Sequence, residues 1–277
     1  MTRPLTCGKN MADFTWEELR AMPVTLTEEE RKSPFARYYD EPLAPLQDGM
    51  AEACKAPLHP SQCYMPREAV AIMFSEDPRY PVNGYGVLDN GVGYCTTRIH
   101  QDGITDEMIK HYRENFAHDM SCRNLFYKTW YPGFHLIHFD DGIVENFGWG
   151  LVRQTMDWEL LNMEAHLGIR REDIPRVNPA CLGLLCPCGP AVNLENPEDV
   201  QYTVMVQYIR EVENGRTLWI HYWNGIRLYP DGRLDICPSV DRKTMESEMK
   251  HMMMHAMVES CNEIKHIKEF WQETNKT

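Results

Sequence analysis

Residues 241–273 read DRKTMESEMKHMMMHAMVESCNEIKHIKEFWQE, and this stretch decides the fold. It contains neither glycine nor proline, the two residues that most strongly disfavour a helix interior. We therefore predict one continuous helix of roughly eight turns here, the longest in the chain.

The chain before this helix alternates between strand-like and helix-like patterns. Residues 85–99 and 203–223 each contain two β-prone runs around an Asn-Gly turn, which predicts two β-hairpins. Residues 124–160 have the same aromatic and β-branched character, whereas residues 103–113 predict a short helix. Residues 178–190 mix glycine, proline and cysteine, and we predict an irregular loop there.

This order of elements predicts an α+β fold in which an antiparallel sheet curls around the C-terminal helix. Such a fold encloses an apolar cavity between sheet and helix, which is a common place for a ligand. Repeated prolines interrupt residues 34–66. We therefore predict that residues 1–80 form a helical and irregular extension that wraps the core or makes a subunit contact, and that residues 81–277 form the main domain.

Composition excludes some classes of partner. The chain has 277 residues and a formal net charge of −13, which repels nucleic acid and anionic membrane surfaces. It has no signal-peptide pattern and no apolar run long enough to span a bilayer, so we expect a cytoplasmic protein with free thiols. Cys186 and Cys188, with Cys181, could ligate a soft metal. A structural zinc site usually needs a second such pair, however, so plain thiols are the favoured interpretation.

The C-terminal helix carries a row of possible metal ligands. His251, His255, Glu259 and Glu263 are spaced by four, which places them on one helix face. Two such side chains can share a metal ion, and the surrounding methionines make the setting apolar, so that a charged Glu259 would need a partner. Spacing alone leaves two other possibilities open: a solvated His–Glu pair, or a pair formed by His251 and His255.

The second cluster lies in residues 124–150, where Tyr127, His135, His138 and Glu145 stand in aromatic company. On a regular strand, side chains three residues apart point to opposite faces. One of the two histidines could therefore face a cavity while the other packs elsewhere. Taken alone, a core or surface histidine is the favoured interpretation of each.

Several motifs, in order, resemble the 2,4-diacetylphloroglucinol hydrolase and phloretin hydrolase family. The resemblance covers roughly residues 85–270. It is carried by Gly103-Ile-Thr-Asp-Glu-Met, Tyr127-Lys-Thr-Trp-Tyr-Pro-Gly-Phe-His135, Glu145-Asn-Phe-Gly-Trp-Gly, Gln207-Tyr-Ile-Arg, Ile220-His-Tyr-Trp-Asn-Gly and His255-Ala-Met-Val-Glu259. The family's fold is similar to the helix-grip fold of Bet v1-like proteins, so the resemblance implies a helix-grip catalytic domain over residues 81–277.

The resemblance also implies a metal site. The family's members bind Zn²⁺ through two histidines and two glutamates, which fall here on His135, Glu145, His255 and Glu259. The segment between His135 and the first glutamate is shorter than the family's, so two fallback candidates for the fourth ligand are Glu159 and Glu164.

The family's two active-site tyrosines fall on Tyr127 and Tyr222. This chain departs from the family's pattern at His138, where an asparagine is expected, and at Gln207, where a histidine is expected. We take Tyr127, His138, Gln207 and Tyr222 as the candidate catalytic residues, with His138 as the proton shuttle.

The implied activity is hydrolysis of the carbon–carbon bond between an acyl group and a polyhydroxylated ring. The substrate would be a small aromatic ketone and the products a carboxylic acid and a phenol. The family and the N-terminal extension favour a homodimer. Two alternatives remain: a non-catalytic or cyclase-type helix-grip protein that binds an aromatic ligand, and a zinc hydrolase of another carbonyl substrate.

Overall fold

The computed structural model describes residues 5–75, 81–118, 120–147, 149–157 and 161–275. The α-helices are α1 (Trp16–Arg20), α2 (Arg37–Asp40), α3 (Met50–Ala53), α4 (Pro66–Ser75), α5 (Asp106–Ala117), α6 (Met120–Trp130), α7 (Met163–Leu167), α8 (Ile174–Val177) and α9 (Arg242–Thr274). The strands are β1 (Gly84–Val87), β2 (Gly93–Asp102), β3 (His135–His138), β4 (Gly142–Asn146), β5 (Leu151–Thr155), β6 (Cys181–Leu185), β7 (Cys188–Asn193), β8 (Val200–Val212), β9 (Gly215–Asn224), β10 (Ile226–Leu228) and β11 (Leu234–Ile236).

Nine of these strands form one antiparallel sheet, in the order β1-β2-β9-β8-β7-β5-β4-β3, with β6 also paired to β8. Both predicted hairpins are present, as β1–β2 and β8–β9. The three longest strands, β2, β9 and β8, lie side by side in the sheet. The short strands β3, β4 and β5 form one end of it.

Helix α9 lies against one face of this sheet, mainly across β1 and β2, as the sequence predicts for the longest helix. Its first turn is capped by Asp241, whose carboxylate accepts hydrogen bonds from the backbone N–H groups of Lys243 and Thr244. The helix presents a buried seam to the sheet, and each such side chain contributes about 1.5–3 kcal/mol by leaving water. The methionines of this seam are Met245, Met249, Met252, Met253 and Met257. The opposite face of the sheet is covered by a second apolar cluster that includes Val70, Met73, Leu167, Tyr208 and Trp223.

Among the described residues no helix, α9 included, combines the length and the apolar character that a membrane span requires.

The loop predicted over residues 178–190 is wrong, because strands β6 and β7 occupy it. Leu185 lies opposite Gln207 and Cys188 opposite Val204, so the two strands keep one register along β8. They are two halves of one strand, interrupted at Cys186 and Pro187. Of the residues that suggested a loop, Pro187 marks this interruption, whereas Gly183, Gly189 and Pro190 lie within the two strands.

The N-terminal segment contacts both the helix and the far end of the sheet. Arg37 pairs with Glu273, Lys265 with Glu41 at 2.9 Å, and the backbone N–H of Ala44 donates to Asn262 Oδ1. At the other end, Cys7 N donates to His138 O and Asp140 N donates to Lys9 O, both at 2.8 Å. These contacts join the segment to the core, and its role as a wrapping or subunit-contact extension stays a prediction. The division of the chain at residue 80, which lies outside the described ranges, stays a prediction.

Candidate metal centre

A cavity of about 100 Å³ lies between α9 and the inner face of the sheet. Of the eight candidate site residues, seven line it, and the eighth, His135, lies just behind its wall. The remaining lining is mostly apolar. The lining residues are Cys95, Thr97, Tyr127, Trp130, His138, Ile143, Glu145, Phe147, Gln154, Met156, Pro187, Met205, Gln207, Ile220, Tyr222, Met252, His255, Ala256 and Glu259.

Helix α9 contributes His255 and Glu259, one turn apart on the cavity side. His251 is exposed, and its Nδ1 hydrogen-bonds to Ser247 O on its own helix. The structure therefore separates two pairings that spacing alone could not. The pair that faces the cavity is His255 with Glu259.

Strand β3 contributes both of its histidines on one side, where both rings contact Tyr127, although a regular strand would place them on opposite faces. His135 pairs with Glu145 on β4, but Ile137 pairs with Val144, so the register shifts by one residue between them. This β-bulge at Leu136 adds one residue to β3, and the extra residue brings His138 to the same side as His135. The expectation of opposite faces failed because it assumed a regular strand.

The donor atoms of these residues converge. His135 Nε2, His255 Nε2 and a Glu259 carboxylate oxygen lie within 4.8 Å of one another. The two Nε2 atoms are 2.9 Å apart, and Glu259 Oε2 is 3.2 Å from the first and 3.8 Å from the second. Glu145 approaches both histidines from β4, with Oε1 3.5 Å from His135 Nε2 and Oε2 3.5 Å from His255 Nε2. Glu145 is thus a neighbour of both histidines, outside the tightest group of three.

A hydrogen bond determines which ring nitrogen of His135 carries the proton. Its Nδ1 lies 2.9 Å from the backbone carbonyl of Tyr127 in the last turn of α6. A carbonyl can only accept, so Nδ1 carries the proton and Nε2 keeps its lone pair toward the cluster. Metal-bound histidines typically have such a partner on the other ring nitrogen.

Burial shapes the charges of the cluster. Loss of solvation raises the pKa of Glu145 well above its usual value, and the nearby Glu259 carboxylate adds to this. Burial also lowers the pKa of His255 well below its usual value, and His135 contributes in the same direction. Without a cation, burial therefore favours the neutral forms of Glu145 and His255, and a cation among the donor atoms would instead favour the carboxylate form of Glu145.

The donor set can be compared with the geometry that Zn²⁺ requires. With bonds of about 2.0–2.1 Å, the donors of a tetrahedral zinc site lie about 3.3 Å apart. The measured separations, 2.9 to 3.8 Å, bracket this value. Two imidazole nitrogens and carboxylate oxygens are also ligands that zinc accepts in catalytic sites. The residues fit a zinc ion without a change of fold.

Aromatic rings enclose the histidines. Tyr127 stacks on His135, with ring centroids 4.1 Å apart, and Tyr131 meets His255 edge-on at 4.9 Å. Phe147 packs on His255 from the other side at 5.5 Å. The rings restrict the rotamers of both imidazoles. Tyr131 was not predicted as part of the site, although it follows the predicted Tyr127 by one helical turn.

The other candidate catalytic residues line the cavity. Burial lowers the pKa of His138 to about 4, so its imidazole is neutral near pH 7. Burial raises the pKa of Tyr222 far above its usual value, so its phenol keeps its proton. Gln207 donates from Nε2 to the Met205 sulfur at 3.2 Å, a weak hydrogen bond that leaves the amide oxygen free to contact a ligand.

The sequence also offered other possible metal ligands, namely two fallback glutamates and a group of three cysteines. Glu159 lies outside the described residues. Glu164 is exposed on α7 and does not line the cavity. Cys181, Cys186 and Cys188 are free thiols, and no group of histidine, cysteine and acidic ligand atoms forms around them in the described part of the chain.

Sequence reasoning missed Thr97 and Gln154, two buried polar residues of the cavity wall. The available signal was a polar side chain among inward-facing positions of a strand, such as Gln154 two residues after the buried Val152 on β5. Period-two patterns place such residues on the core side, where a polar group needs a partner.

No protein-family model matches the chain. Phloretin hydrolase from Eubacterium ramulus is 29% identical over 113 residues, which are 40% of this chain and 40% of that protein. The chain therefore matches well under half the length of this relative. A crystal structure of a hypothetical protein from Helicobacter pylori aligns with 62% of this chain and 85% of its own, at 10% identity and a TM-score of 0.31, too low to support an argument about fold. The sequence match indicates a distant relationship to phloretin hydrolase and the possibility of hydrolase activity.

Proposed function

We propose that this protein is a zinc-dependent hydrolase. It would cleave the carbon–carbon bond between an acyl group and a polyhydroxylated aromatic ring, as in phloretin-like ketones. The observation that carries the proposal is the convergence of His135, His255 and Glu259 within 4.8 Å at the wall of the cavity between α9 and the sheet. The distant similarity to phloretin hydrolase supports the choice of substrate class. The α+β architecture, with its long C-terminal helix, supports the narrower proposal of a helix-grip fold of the Bet v1 type.

In this proposal His135, His255, Glu259 and Glu145 hold the zinc ion. A bound zinc ion would polarise the acyl carbonyl and lower the pKa of water at the site. Glu145 is assigned as the fourth ligand because it contacts both histidines, whereas Glu164 is exposed.

The remaining cavity residues act on the ring and its proton. In the reaction, the oxygen of water joins the acyl carbon, the carbon–carbon bond breaks, and the ring carbon takes up a proton. Tyr222 keeps its phenolic proton and, with Tyr127, would donate hydrogen bonds to the acyl or ring oxygens as negative charge develops.

His138 would move the proton, since its neutral imidazole can first accept a proton and then release it. Gln207 would not transfer protons, because its amide does not titrate. It would instead orient the ring by hydrogen bonding.

One pair of measurements tests the proposal. The metal content of the purified protein and its hydrolysis of phloretin should both fall in His255→Ala. The matched control is His251→Ala, a histidine one turn earlier on the same helix that is exposed. It should retain both metal and activity. A fully active preparation without metal would refute the zinc hypothesis. A zinc-loaded protein that leaves phloretin intact would favour another carbonyl substrate.

We also propose that the chain forms a homodimer through its N-terminal segment. Two of the exposed large apolar side chains, Val24 and Leu43, lie in that segment. Light scattering of the protein and of Leu43→Asp tests this, and a monomeric parent protein would refute it.

A further inference from the structure

Thr97 presents only lone pairs to the cavity. Asn83 Oδ1 accepts a hydrogen bond from the backbone N–H of Arg98 at 3.0 Å, so this atom of the Asn83 amide is the oxygen. Thr97 Oγ1 lies 2.9 Å from the same oxygen and must donate its single proton to it. Since Asn83 takes the proton, any ligand that reaches the Thr97 hydroxyl meets an acceptor.

The polarity of Gln154 is fixed in the same way by a neighbour. Thr203 Oγ1 lies 3.0 Å from the carbonyl oxygen of Gly189, which can only accept, so the hydroxyl proton points there. The Gln154 atom 2.9 Å from Thr203 Oγ1 must then be a donor, the amide nitrogen. The other terminal atom of the Gln154 amide is therefore the oxygen. Gln154 cannot reverse its amide without losing this bond.

His138 has the same polarity. Its Nδ1 lies 3.0 Å from the carbonyl oxygen of Phe139 and carries the proton of the neutral ring. Its Nε2 is therefore an acceptor. Thr97 on β2, Gln154 on β5 and His138 on β3 all line the cavity, so three wall residues offer acceptors whose protons are held elsewhere.

We propose that Thr97 and Gln154 are specificity-determining residues that require free hydroxyl groups on the ligand, with Asn83 and Thr203 as the residues that position them. The inference rests on the proposed function, because it assumes a hydroxylated aromatic ligand in this cavity. An O-methyl ether in place of a hydroxyl removes the donor, leaves a buried acceptor unpaired and adds a methyl group to a cavity of about 100 Å³. Sites built to bond a hydroxyl reject analogues that lack it.

The experiment compares the binding of phloretin with that of its single O-methyl ethers. The zinc-loaded protein is titrated by calorimetry at a pH and time at which no product forms. We expect the parent protein to bind phloretin at least about tenfold more tightly than the ether at one or more ring hydroxyls.

Substitutions in the cavity wall show which residue accepts from which ring hydroxyl of the ligand. Thr97→Val keeps the shape but removes the acceptor, and should bring the phloretin-to-ether ratio close to one for one particular ether. Thr97→Ser keeps the hydroxyl and should keep the ratio. Gln154→Met provides an independent second variant and should abolish the preference at a different hydroxyl. A purely structural role would weaken both ligands equally and leave every ratio unchanged.

The outcomes separate the inference from the proposed function. If the parent protein binds phloretin and all ethers equally, the inference is refuted while the proposed function stands. If Thr97→Val and Gln154→Met keep the parent's ratios, the two residues do not determine specificity and the inference is again wrong. If the parent binds none of the ligands, both the inference and the proposed function fail.

Discussion

Replacing Glu145 with glutamine should change the stability of the protein in opposite directions with and without zinc. Glu145 is 4% exposed, and burial disfavours its charged form. Glutamine has the same shape without the charge. In a chelator, Glu145→Gln should therefore be as stable as the parent protein or more stable. With zinc, the variant loses a carboxylate that lies 3.5 Å from both histidine nitrogens, and the parent should be the more stable of the two.

The expected size follows from linkage between binding and folding. Free zinc at about 100 times its dissociation constant stabilises the folded protein by about 2.7 kcal/mol. For a chain of this length, that corresponds to a rise in Tm of about 5–8 °C. If the variant binds zinc about 100-fold more weakly, the same zinc concentration stabilises it by only about 0.4 kcal/mol. Its Tm should then rise by roughly 1 °C.

The assay is differential scanning calorimetry of both proteins, in EDTA and in buffered free zinc. The matched control is Glu164→Gln, which removes an exposed glutamate from α7 and should respond to zinc as the parent does. If Glu145→Gln gains as many degrees from zinc as the parent, Glu145 is not a ligand. If Glu164→Gln loses the response instead, the fourth ligand has been assigned to the wrong strand.

Three further substitutions test other parts of the structure. Burial raises the pKa of Glu248 to about 7, so the stability it contributes is present below its unfolded pKa of about 4.5 and is lost as pH rises through 7. The test is chemical denaturation at pH 5 and pH 8. Glu248→Gln should reduce the difference between the free energies of unfolding at these two pH values by about 2.5 kcal/mol, and an unchanged difference would contradict this pKa. Lys128→Met leaves the buried Glu30 without its 2.9 Å partner and should cost about 3–5 kcal/mol in urea unfolding, much of which Glu30→Gln in the same chain should restore. Gly142→Ala would place a methyl group 2.2 Å from the backbone oxygen of Gln154, and should cost about 1–3 kcal/mol and weaken zinc binding through β4, so an unaltered Tm would contradict the packing described.

The sequence predicts best the elements whose signals are local. The long helix follows from 33 residues without glycine or proline, and the two hairpins follow from their Asn-Gly turns. The pair formed by His255 and Glu259 was also within reach, since four-residue spacing is a property of the helix itself. Its partners on the sheet were indicated only by family resemblance, because His135 and Glu145 meet α9 across more than 100 residues of chain.

Features that depend on the register between paired strands were beyond the sequence. The bulge that turns both His135 and His138 inward depends on the register between β3 and β4, which no local pattern encodes. The fixed polarity of Gln154 depends on a threonine 49 residues away. The interrupted strand at residues 181–193 was misassigned because its glycines and prolines also favour loops, and only pairing with β8 distinguishes the two.

The attachment of the N-terminal segment to β3 bears on how the protein stays in solution. Among the described residues, β3 is the last strand of the sheet. The bond from Cys7 N to His138 O occupies part of its open side, and the bond from Asp140 N to Lys9 O lies just beyond its end. An uncovered strand edge is a template on which a second molecule can add its own strand. Loss of the first nine residues would therefore expose an unpaired edge on β3, the strand that carries His135 and His138. Trimming or tagging the protein at this end would promote aggregation at the same place where it would loosen the site.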